Sequence, residues 1–506
     1  MSQARRAARA NLLLAPVGVV LAVVASVLVA RLMGPDLYAG YAVLIALLAI
    51  LQLTTEIGCN VGYSRFQSEA AELSARYSLY RTLQFRRWCA AAFVGIALQL
   101  LGPIWLGKSG FSDMAWGWEH FALVAMLSAI TLHGQLANAA LMSAFQHKKM
   151  LMVSQAMMLL RAIAVCVVAV LFRSPEAIIV SLLIVAAVET WLVDRFAVLE
   201  FARERAALPG KIANSAQLHG MIALFDKITT ALTGAPFLLL VVAGAYSRYE
   251  MAMFAVAADL LQKGLGVIGL PVSNLVLPTF NANRADKERF KLQIERLGGV
   301  SVVWFSVATM GVATCFPMGI PLLLGDAYRD AVVVAFVLLL PLMFEAGVRM
   351  IWGVALLTRD DYRWLSAYNF LFGLASLFVV FLIRGADLLV LLGLLGMVRV
   401  SMSCLLLLRA RSLGLLPRNS RPVGIVLASM LCCLLAIWVQ FESDELGDAL
   451  RLAIGCAVYV LSVLGCLRIL PLIPLPSYQV LCSLAGRHAG VVKRVLAAPS
   501  EGDGRA

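Results

Sequence analysis

Charged residues are scarce in this 506-residue chain. Asp, Glu, Lys and Arg make up 14% of it, whereas hydrophobic residues make up 61%. The longest connection between apolar stretches, about residues 59–87, is too short to bury a core of its own, so we expect no soluble domain. Nucleic-acid binding would need basic residues gathered on one soluble face. The net charge of +13 therefore does not indicate a nucleic-acid partner.

Signatures of enzymatic and metal chemistry are lacking as well. The chain contains no P-loop, no Gly-rich dinucleotide fingerprint, no HExxH and no GxSxG. Its ten cysteines show no CxxC and no Cys/His ligand spacing, and most of them fall within apolar stretches. We interpret them as small packing residues rather than as a disulfide framework or a metal site. The sequence thus predicts no metal, no cofactor and no enzymatic activity.

The chain does contain fourteen long apolar stretches. A transmembrane helix needs about 20 mostly apolar residues, and in lipid such a run is helical because every backbone polar group must be satisfied within the protein. We therefore predict an all-α polytopic membrane protein with about 14 transmembrane helices. The predicted spans are 11–31, 38–58, 88–107, 120–143, 151–172, 177–197, 216–243, 251–276, 298–318, 331–357, 365–383, 388–408, 423–440 and 452–472.

The connections between the spans alternate in charge, which predicts the orientation. The set that includes the N-terminus carries 28 Lys and Arg residues, whereas the opposite set carries seven. Because loops rich in Lys and Arg stay in the cytoplasm, both termini are predicted to be cytoplasmic. The basic and apolar N-terminal segment is interpreted as an uncleaved first helix, since thirteen more spans follow it.

Several charged residues fall at membrane depth. A charge at a helix centre costs about 2.5–3.5 kcal/mol on insertion scales, so it usually faces a cavity or a partner. The pairs Asp259/Lys263 and Glu345/Arg349 are four residues apart and share a helix face, so each could be a simple ion pair. Arg161 and Arg399 have no acid nearby in the sequence, but either could meet one on another helix. The alternative is a cationic, water-filled cavity for an anion such as a pyrophosphate. The residues concerned are Arg161, Asp226, Lys227, Asp259, Lys263, Glu345, Arg349 and Arg399.

Other polar residues in the spans have simpler interpretations. His133 is central in span four, where packing between helices is favoured over proton sensing. Glu56, Glu189 and Asp194 lie toward cytoplasmic span ends, where capping or snorkelling explains them.

Span eight contains a group of helix breakers. Proline removes a helix hydrogen bond and glycine loosens the backbone, so this helix can bend. We predict a hinge formed by Gly264, Gly266, Gly269 and Pro271.

Two segments suggest an internal repeat. Residues 29–53 and 241–265 each contain a short turn with Gly and Tyr followed by an apolar helix, although a third such turn lies at 322–334. A separation of six spans fits two parallel six-helix halves, as in many transporters. We predict an N-terminal six-helix lobe at 1–213, a second lobe at 214–422, and two additional helices with a cytoplasmic tail at 423–506.

Three segments carry a resemblance to a known family. The sequence ARLMGPDLYAGYAVLIALLAILQLTTEIGCNVGYSRF (30–66) resembles the opening of the Wzx-type flippases, with their short outer turn, apolar helix and basic inner loop. VLPTFNANRADKERF (276–290) resembles their proline-marked exit from span eight, and PLLLGDAYRDAVVV (321–334) resembles their turn between spans nine and ten. With fourteen spans, the resemblance covers nearly the whole chain.

The resemblance implies membership of the multidrug/oligosaccharidyl-lipid/polysaccharide (MOP) exporter superfamily. The implied fold is two six-helix lobes in a V plus two C-terminal helices, in a bacterial inner membrane. The implied activity is to flip an undecaprenyl-pyrophosphate-linked oligosaccharide from the cytoplasmic to the periplasmic leaflet, by alternating access through a cationic cavity. The surface polysaccharide built from the flipped unit would be an exopolysaccharide, a capsule or an O-antigen. Expected partners are this lipid-linked substrate, membrane lipids, and polymerase and chain-length or export proteins of the same pathway.

Roles for the charged residues follow from the same resemblance. Spans one, two, seven and eight line the cavity in the family, which favours the charged residues of spans seven and eight over Arg399. Asp226, Asp259 and Glu345 would couple a proton or sodium ion or balance charge. The candidates for substrate binding are Arg161, Lys227, Lys263, Arg349 and Arg399.

Two alternative functions remain open. An ion-coupled drug or small-molecule antiporter of the same superfamily would have twelve spans and a single buried acid, so the two extra spans argue against it. A membrane-embedded glycan-assembly enzyme would carry a large outer loop, whereas the predicted outer loops have at most about a dozen residues.

Overall fold

The apolar runs form long helices in the computed structural model. The structure describes residues 2–67, 72–106, 117–143, 147–199, 210–282, 286–358, 361–383, 385–415, 421–443 and 446–469. Within these ranges the regular structure is helical and contains no strand, which confirms the all-α prediction. Ten helices in the same ranges are long and apolar enough to cross a membrane. The chain is therefore a multi-pass membrane protein.

Sixteen α-helices lie in the described part of the chain. A 3-10 turn, Asp326–Tyr328, precedes α11, and a π-helical turn, Arg349–Gly353, joins α11 to α12. The helices are α1 (Ser2–Glu56), α2 (Cys59–Phe66), α3 (Leu73–Leu106), α4 (Trp118–Ser143), α5 (His147–Phe172), α6 (Pro175–Leu199), α7 (Gly210–Ala231), α8 (Ala235–Ala243), α9 (Arg248–Ala282), α10 (Lys287–Leu324), α11 (Ala331–Val348), α12 (Val354–Thr358), α13 (Tyr362–Leu382), α14 (Leu388–Ser412), α15 (Arg421–Glu442) and α16 (Asp448–Ile469).

Each predicted span falls on a helix, but the breaks between spans differ from expectation. The first two spans are two helical segments of α1 that meet at a kink, where Gly34 is non-helical (φ 72°, ψ 171°). Pro35 comes next, a residue suited to the first turn of the following helical segment. The seventh span is instead divided into α7 and α8 at residues 232–234, with Gly234 as the N-cap of α8.

The predicted hinge lies within a continuous helix. Helix α9 runs through Gly264, Gly266, Gly269 and Pro271 without a break. A Cβ added at Gly264 or Gly266 would meet nothing within 4 Å, so neither glycine is required by close packing. A role for this segment in gating stays a prediction.

The helices group into two compact units. One contains Met1–Val256 with Ser376–Gly385, and the other contains Ala257–Ala375 with Ala386–Ala506. Helix α9 therefore begins in the first unit and continues in the second. These boundaries differ from residues 213 and 422, so the division into two six-helix lobes also stays a prediction.

In the first unit, α4 packs against α6, α5 packs against α1 and α6, and α2 packs against α7. Its core includes Tyr63, Tyr80 and Leu136, which are fully buried. Long apolar side chains on the outer faces, such as Phe93, are mostly exposed. A surface of this kind suits lipid contact, since large exposed apolar patches are rare on soluble proteins.

In the second unit, α11 packs against α14, and α10 packs against α11, α15 and α16. The core around Phe280, Phe290 and Tyr368 joins residues of α9, α10 and α13. This packing holds the polar face of α11, which carries Glu345 and is followed by Arg349, against neighbouring helices rather than lipid.

Candidate functional site

Glu345 lies between two arginines of the second unit. It is on α11, Arg349 follows one turn later at the start of the π-helical turn, and Arg399 is on α14. Arg349 Nη1 donates to Glu345 Oε1 at 3.0 Å, and Arg399 Nη1 donates to Glu345 Oε2. The side chains of Glu345 and Arg399 are only 9% and 11% exposed. One buried carboxylate thus joins two guanidinium groups from different helices.

Helix α13 supplies further contacts to the two arginines. Arg349 Nη2 donates to Asn369 Oδ1 at 2.7 Å, and its guanidinium lies 6.0 Å from the ring centre of Tyr368. The guanidinium of Arg399 lies 5.9 Å from the ring centre of Phe372, within the range of a cation–π contact. The π-helical turn at Arg349–Gly353 is a feature found mostly as single turns, often at functional sites.

The chemistry of this cluster suits an anion. Glu345, Arg349 and Arg399 together carry one net positive charge. A planar guanidinium can bind two oxygens of a phosphate or carboxylate at once, and Arg349 is about one quarter exposed, so an anion can reach it. The sequence left Arg399 without an acid nearby, and the structure finds that acid on α11.

Asp259 and Lys263 form the internal ion pair that their spacing allowed. Lys263 Nζ donates to Asp259 Oδ2 at 2.6 Å, one turn apart on α9. Both side chains are partly exposed. The pair balances its own charge, and its predicted part in substrate binding or ion coupling is not decided by this geometry.

Lys227 pairs with a residue that the sequence interpretation set aside. Lys227 Nζ, on α7, donates to both carboxylate oxygens of Glu56, at 2.9 and 2.7 Å. Glu56 is not a solvated cap: its side chain is 8% exposed, at the end of α1. The side chain of Asp226, next to Lys227, lies outside the described part of the structure.

A sharp turn positions Glu56. The two residues after it, Ile57 and Gly58, both have left-handed backbone angles (φ 40° and 68°). A positive φ is an outlier for a β-branched residue such as Ile57. The turn directs α2 against α7, where Gly58 meets Gly220 so closely that a Cβ on Gly58 would lie 1.9 Å from the Gly220 carbonyl oxygen.

Arg161 also has an acidic partner on another helix. Its Nη2, on α5, donates to Glu189 Oε2 on α6 at 2.7 Å. Glu189 was interpreted as a snorkelling or capping residue, which is wrong, because this ion pair crosses between two packed helices. All five predicted cavity cations therefore contact a carboxylate in the described part of the chain.

Sequence reasoning missed the partners that only helix packing brings close. Glu56, Glu189 and Asn369 lie 171, 28 and 20 positions from the cations they bind. The one available signal was that each is a polar residue within or next to an apolar span. A polar residue in such a place needs a polar partner, but its position in the sequence does not identify that partner.

Comparison with known proteins places the chain in a family. The family model described as "Polysaccharide biosynthesis protein" matches residues 28–333, more than half of the chain. The chain belongs to this family. No curated protein sequence matches it significantly.

Solved structures share the fold of this polysaccharide biosynthesis family member. A lipid II flippase MurJ in an inward closed conformation has a TM-score of 0.66 at 11% identity, covering 89% of this chain and 97% of that one. An inward-facing multidrug resistance MATE transporter of the MOP superfamily has a TM-score of 0.59 at 12% identity, covering 81% and 95%. A MOP superfamily transporter from Pyrococcus furiosus has a TM-score of 0.52 at 12% identity, covering 79% and 93%. The prediction of an all-α membrane protein that belongs to a polysaccharide biosynthesis family is thereby confirmed.

Proposed function

We propose that this family member is a flippase for a lipid-linked oligosaccharide of surface polysaccharide biosynthesis. The substrate would be an undecaprenyl-pyrophosphate-linked repeat unit, moved from the cytoplasmic to the periplasmic leaflet. The observation that carries the proposal is the cluster of Glu345, Arg349 and Arg399, which holds a net positive charge between apolar helices. A fold shared with a protein described as a lipid II flippase supports the same proposal.

The cluster suggests how a pyrophosphate is held and released. Arg349 is more exposed than Arg399 and has a second partner, Asn369. A phosphate oxygen pair can replace the Glu345 carboxylate on Arg349 while Arg399 keeps Glu345 paired. Exchange of one anion for another leaves no buried guanidinium unpaired, which keeps the cost of binding and release small.

The remaining cations also bind the substrate in this proposal, although the carboxylate that each one contacts has no second cation comparable to Arg399 among the described residues. Lys227, Lys263 and Arg161 attract the pyrophosphate or acidic sugars. To bind the substrate, each of them gives up its contact with a carboxylate of the protein. Asp226, Asp259 and Glu345 balance charge or couple an ion, and α9 bends at its glycines as the lobes alternate. The protein would then be a transporter and not an enzyme.

The setting of the proposal is a bacterial inner membrane with both termini in the cytoplasm. The lipid tail of the substrate would stay in the bilayer while the head group crosses between the helices. The polymerase and chain-length or export proteins of the same pathway would consume the flipped unit.

The test of the proposed function is the leaflet location of the lipid-linked oligosaccharide after deletion of the gene from its host. We expect the complete repeat unit to accumulate on the cytoplasmic face while surface polysaccharide disappears. Arrival of an intact unit in the periplasm without polymer would instead favour a later enzyme, and unchanged polymer would favour an antiporter with another cargo.

Charge removal at Lys263 separates a substrate role from a structural one. We expect Lys263→Met to abolish polysaccharide export with normal amounts of protein in the membrane, because the substrate loses a cation. The double variant Asp259→Asn/Lys263→Met removes both charges and leaves no carboxylate unpaired. Export should stay absent in the double variant, and recovery there would mean that the pair serves only the fold.

The same comparison applies to the pair between α5 and α6. Arg161→Met and the double variant Arg161→Met/Glu189→Gln should both lack export. If the single variants Lys263→Met and Arg161→Met both export polysaccharide at the wild-type level, the assignment of these cations to substrate binding is wrong.

A further inference from the structure

Four side chains of the first unit form a continuous hydrogen-bonded chain. Trp88 Nε1, on α3, donates to His133 Nδ1 on α4 at 3.1 Å. His133 Nε2 lies 3.1 Å from Asp194 Oδ1 on α6, and Tyr80 Oη, on α3, donates to the same Asp194 oxygen at 2.5 Å. The chain joins three helices. The sequence favoured packing between helices over proton sensing for His133, and capping or snorkelling for Asp194; the structure gives both residues hydrogen-bonded partners on neighbouring helices.

The donors fix the protonation state of the resting chain. An indole N–H can only donate, so His133 Nδ1 is an acceptor and carries no hydrogen. Its Nε2 then carries the hydrogen and donates to Asp194, and His133 is neutral. Burial and the adjacent Asp194 carboxylate raise the pKa of Tyr80 far above its usual range, so Tyr80 keeps its proton and donates as well.

One added proton changes this arrangement in a defined way. Imidazole is the side chain that ordinarily gains charge between pH 8 and pH 5. A proton on His133 Nδ1 places two N–H donors against each other, so the hydrogen bond from Trp88 is lost. At the same time the contact with Asp194 becomes an ion pair, in which the bond to Nε2 is stronger.

The charged groups around His133 come from each helix packed on α4. Helix α3 contributes Arg81, whose positive charge favours the ionised form of Asp194, and Arg87, which donates a hydrogen bond to the carbonyl of Leu132. Helices α5 and α6 contribute the pair Arg161–Glu189, and α1 contributes Glu56, which pairs with Lys227. Helix α6 also carries Arg195, whose guanidinium lies 5.5 Å from the ring centre of Trp191, and Glu176, which pairs with His120. Helix α2 contributes the uncharged contact of Asn60 with Gln135. Asp194 is thus the carboxylate that contacts His133.

We propose that Trp88, His133, Asp194 and Tyr80 form a proton-binding site in which His133 takes up the proton. Its occupation exchanges a hydrogen bond between α3 and α4 for an ion pair between α4 and α6. Protonation therefore loosens α3 from α4 while it tightens α4 on α6. None of the acids predicted to couple ions belongs to this site.

The site would make the helix packing of the transporter respond to pH. Under the predicted orientation, Asp194 and Tyr80 lie toward the cytoplasmic ends of their helices, so proton exchange would occur with the cytoplasm. This consequence rests on the proposed function, whereas proton binding itself does not. The test is therefore made on purified protein without substrate.

Trp88 reports the proton directly, because its ring lies 5.9 Å from that of His133 and protonated imidazole quenches indole fluorescence. The measurement is the emission of protein in lipid nanodiscs from pH 8.5 to 4.5, with the emission of Trp88→Phe subtracted to remove the other tryptophans. We expect the Trp88 component to fall with one transition between about pH 8 and pH 5. The transition should be lost in His133→Gln, which keeps an acceptor but cannot take up the proton.

Two further variants distinguish proton binding from loss of structure. Asp194→Asn should move the midpoint down by about one pH unit or more, because the imidazolium loses its anionic partner. His120→Gln is the matched control, since His120 also pairs across α4 and α6, with Glu176 at 3.1 Å, about 20 Å along α4 from His133. It should keep the Trp88 transition unchanged.

Either of two results overturns the proposal: a Trp88 component with no transition in the wild type, or a transition that survives in His133→Gln. Should His133→Gln fail to fold, an unmoved midpoint in Asp194→Asn overturns it equally. A wild-type transition together with normal polysaccharide in the deletion strain would leave the proton site standing and remove the flippase proposal.

Discussion

Replacement of Glu345 by Gln should destabilise the protein far more than replacement of Arg399 by Met. Glu345 contacts both Arg349 and Arg399, so its loss leaves two guanidinium groups close together with no carboxylate between them. Removing one partner of a buried ion pair costs about 3–5 kcal/mol. Arg399→Met leaves Glu345 paired with Arg349 and fills the space with an apolar side chain, so its cost should be nearer about 1 kcal/mol.

The measurement is thermal unfolding of detergent-purified protein, followed by the loss of monodisperse protein on size-exclusion chromatography. Asp361→Asn is the matched control, because Asp361 contacts one arginine, Arg409, at 2.8 Å, and is more exposed than Glu345. Its effect should be smaller than that of Glu345→Gln. Equal effects of Glu345→Gln and Arg399→Met would show that the carboxylate does not hold the cluster together.

Gly58→Ala should have a comparable or larger effect, at the contact between α2 and α7. An added Cβ would lie 1.9 Å from the Gly220 oxygen and 2.0 Å from its carbonyl carbon, and backbone atoms cannot rotate away as a side chain can. The left-handed conformation (φ 68°) adds about 1–2 kcal/mol of strain. Helix α2 must therefore move off α7, and the Glu56–Lys227 pair next to the turn is disturbed with it. We expect little folded protein in the membrane.

Substitutions at two other glycines distinguish the steric clash with Gly220 from the backbone strain as causes of the destabilisation. Gly34 has no atom within 4 Å of an added Cβ, so Gly34→Ala should show backbone strain without a clash. Its φ of 72° with a ψ of 171° lies in a region essentially restricted to glycine, so this strain should exceed that at Gly58, whose ψ is 13°. Gly264 is helical and equally uncrowded, so Gly264→Ala should leave the unfolding temperature unchanged or raise it slightly. The three variants are compared by the same thermal assay. A Gly58→Ala variant as stable as the unmodified protein would contradict the close contact between α2 and α7.

Gly264→Ala also bears on the predicted hinge. A stable variant that no longer exports polysaccharide would support bending of α9 at this position. Normal export would place any bend elsewhere, for which the break between α7 and α8 at residues 232–234 is the first candidate.

The positions of the helices could be predicted because span length and polarity are local properties. An apolar run of about 20 residues must be a helix in lipid, whatever it packs against. The turns were less predictable. A six-residue connection between the first two spans reduces to a kink at Gly34, because one glycine with a positive φ is enough to redirect the chain.

The amino-acid pattern was enough to predict that this protein crosses the membrane repeatedly, which charges lie within the helices, and which pairs can form within one turn, such as Asp259 with Lys263. Helix packing was needed to show that Lys227 binds Glu56, that Arg161 binds Glu189, and that His133 lies between Trp88 and Asp194. The physical reason is that a charge in an apolar helix requires a partner, whereas the identity of that partner depends on which helix faces pack together. Packing is a property of residues far apart in the chain, and no local pattern records it.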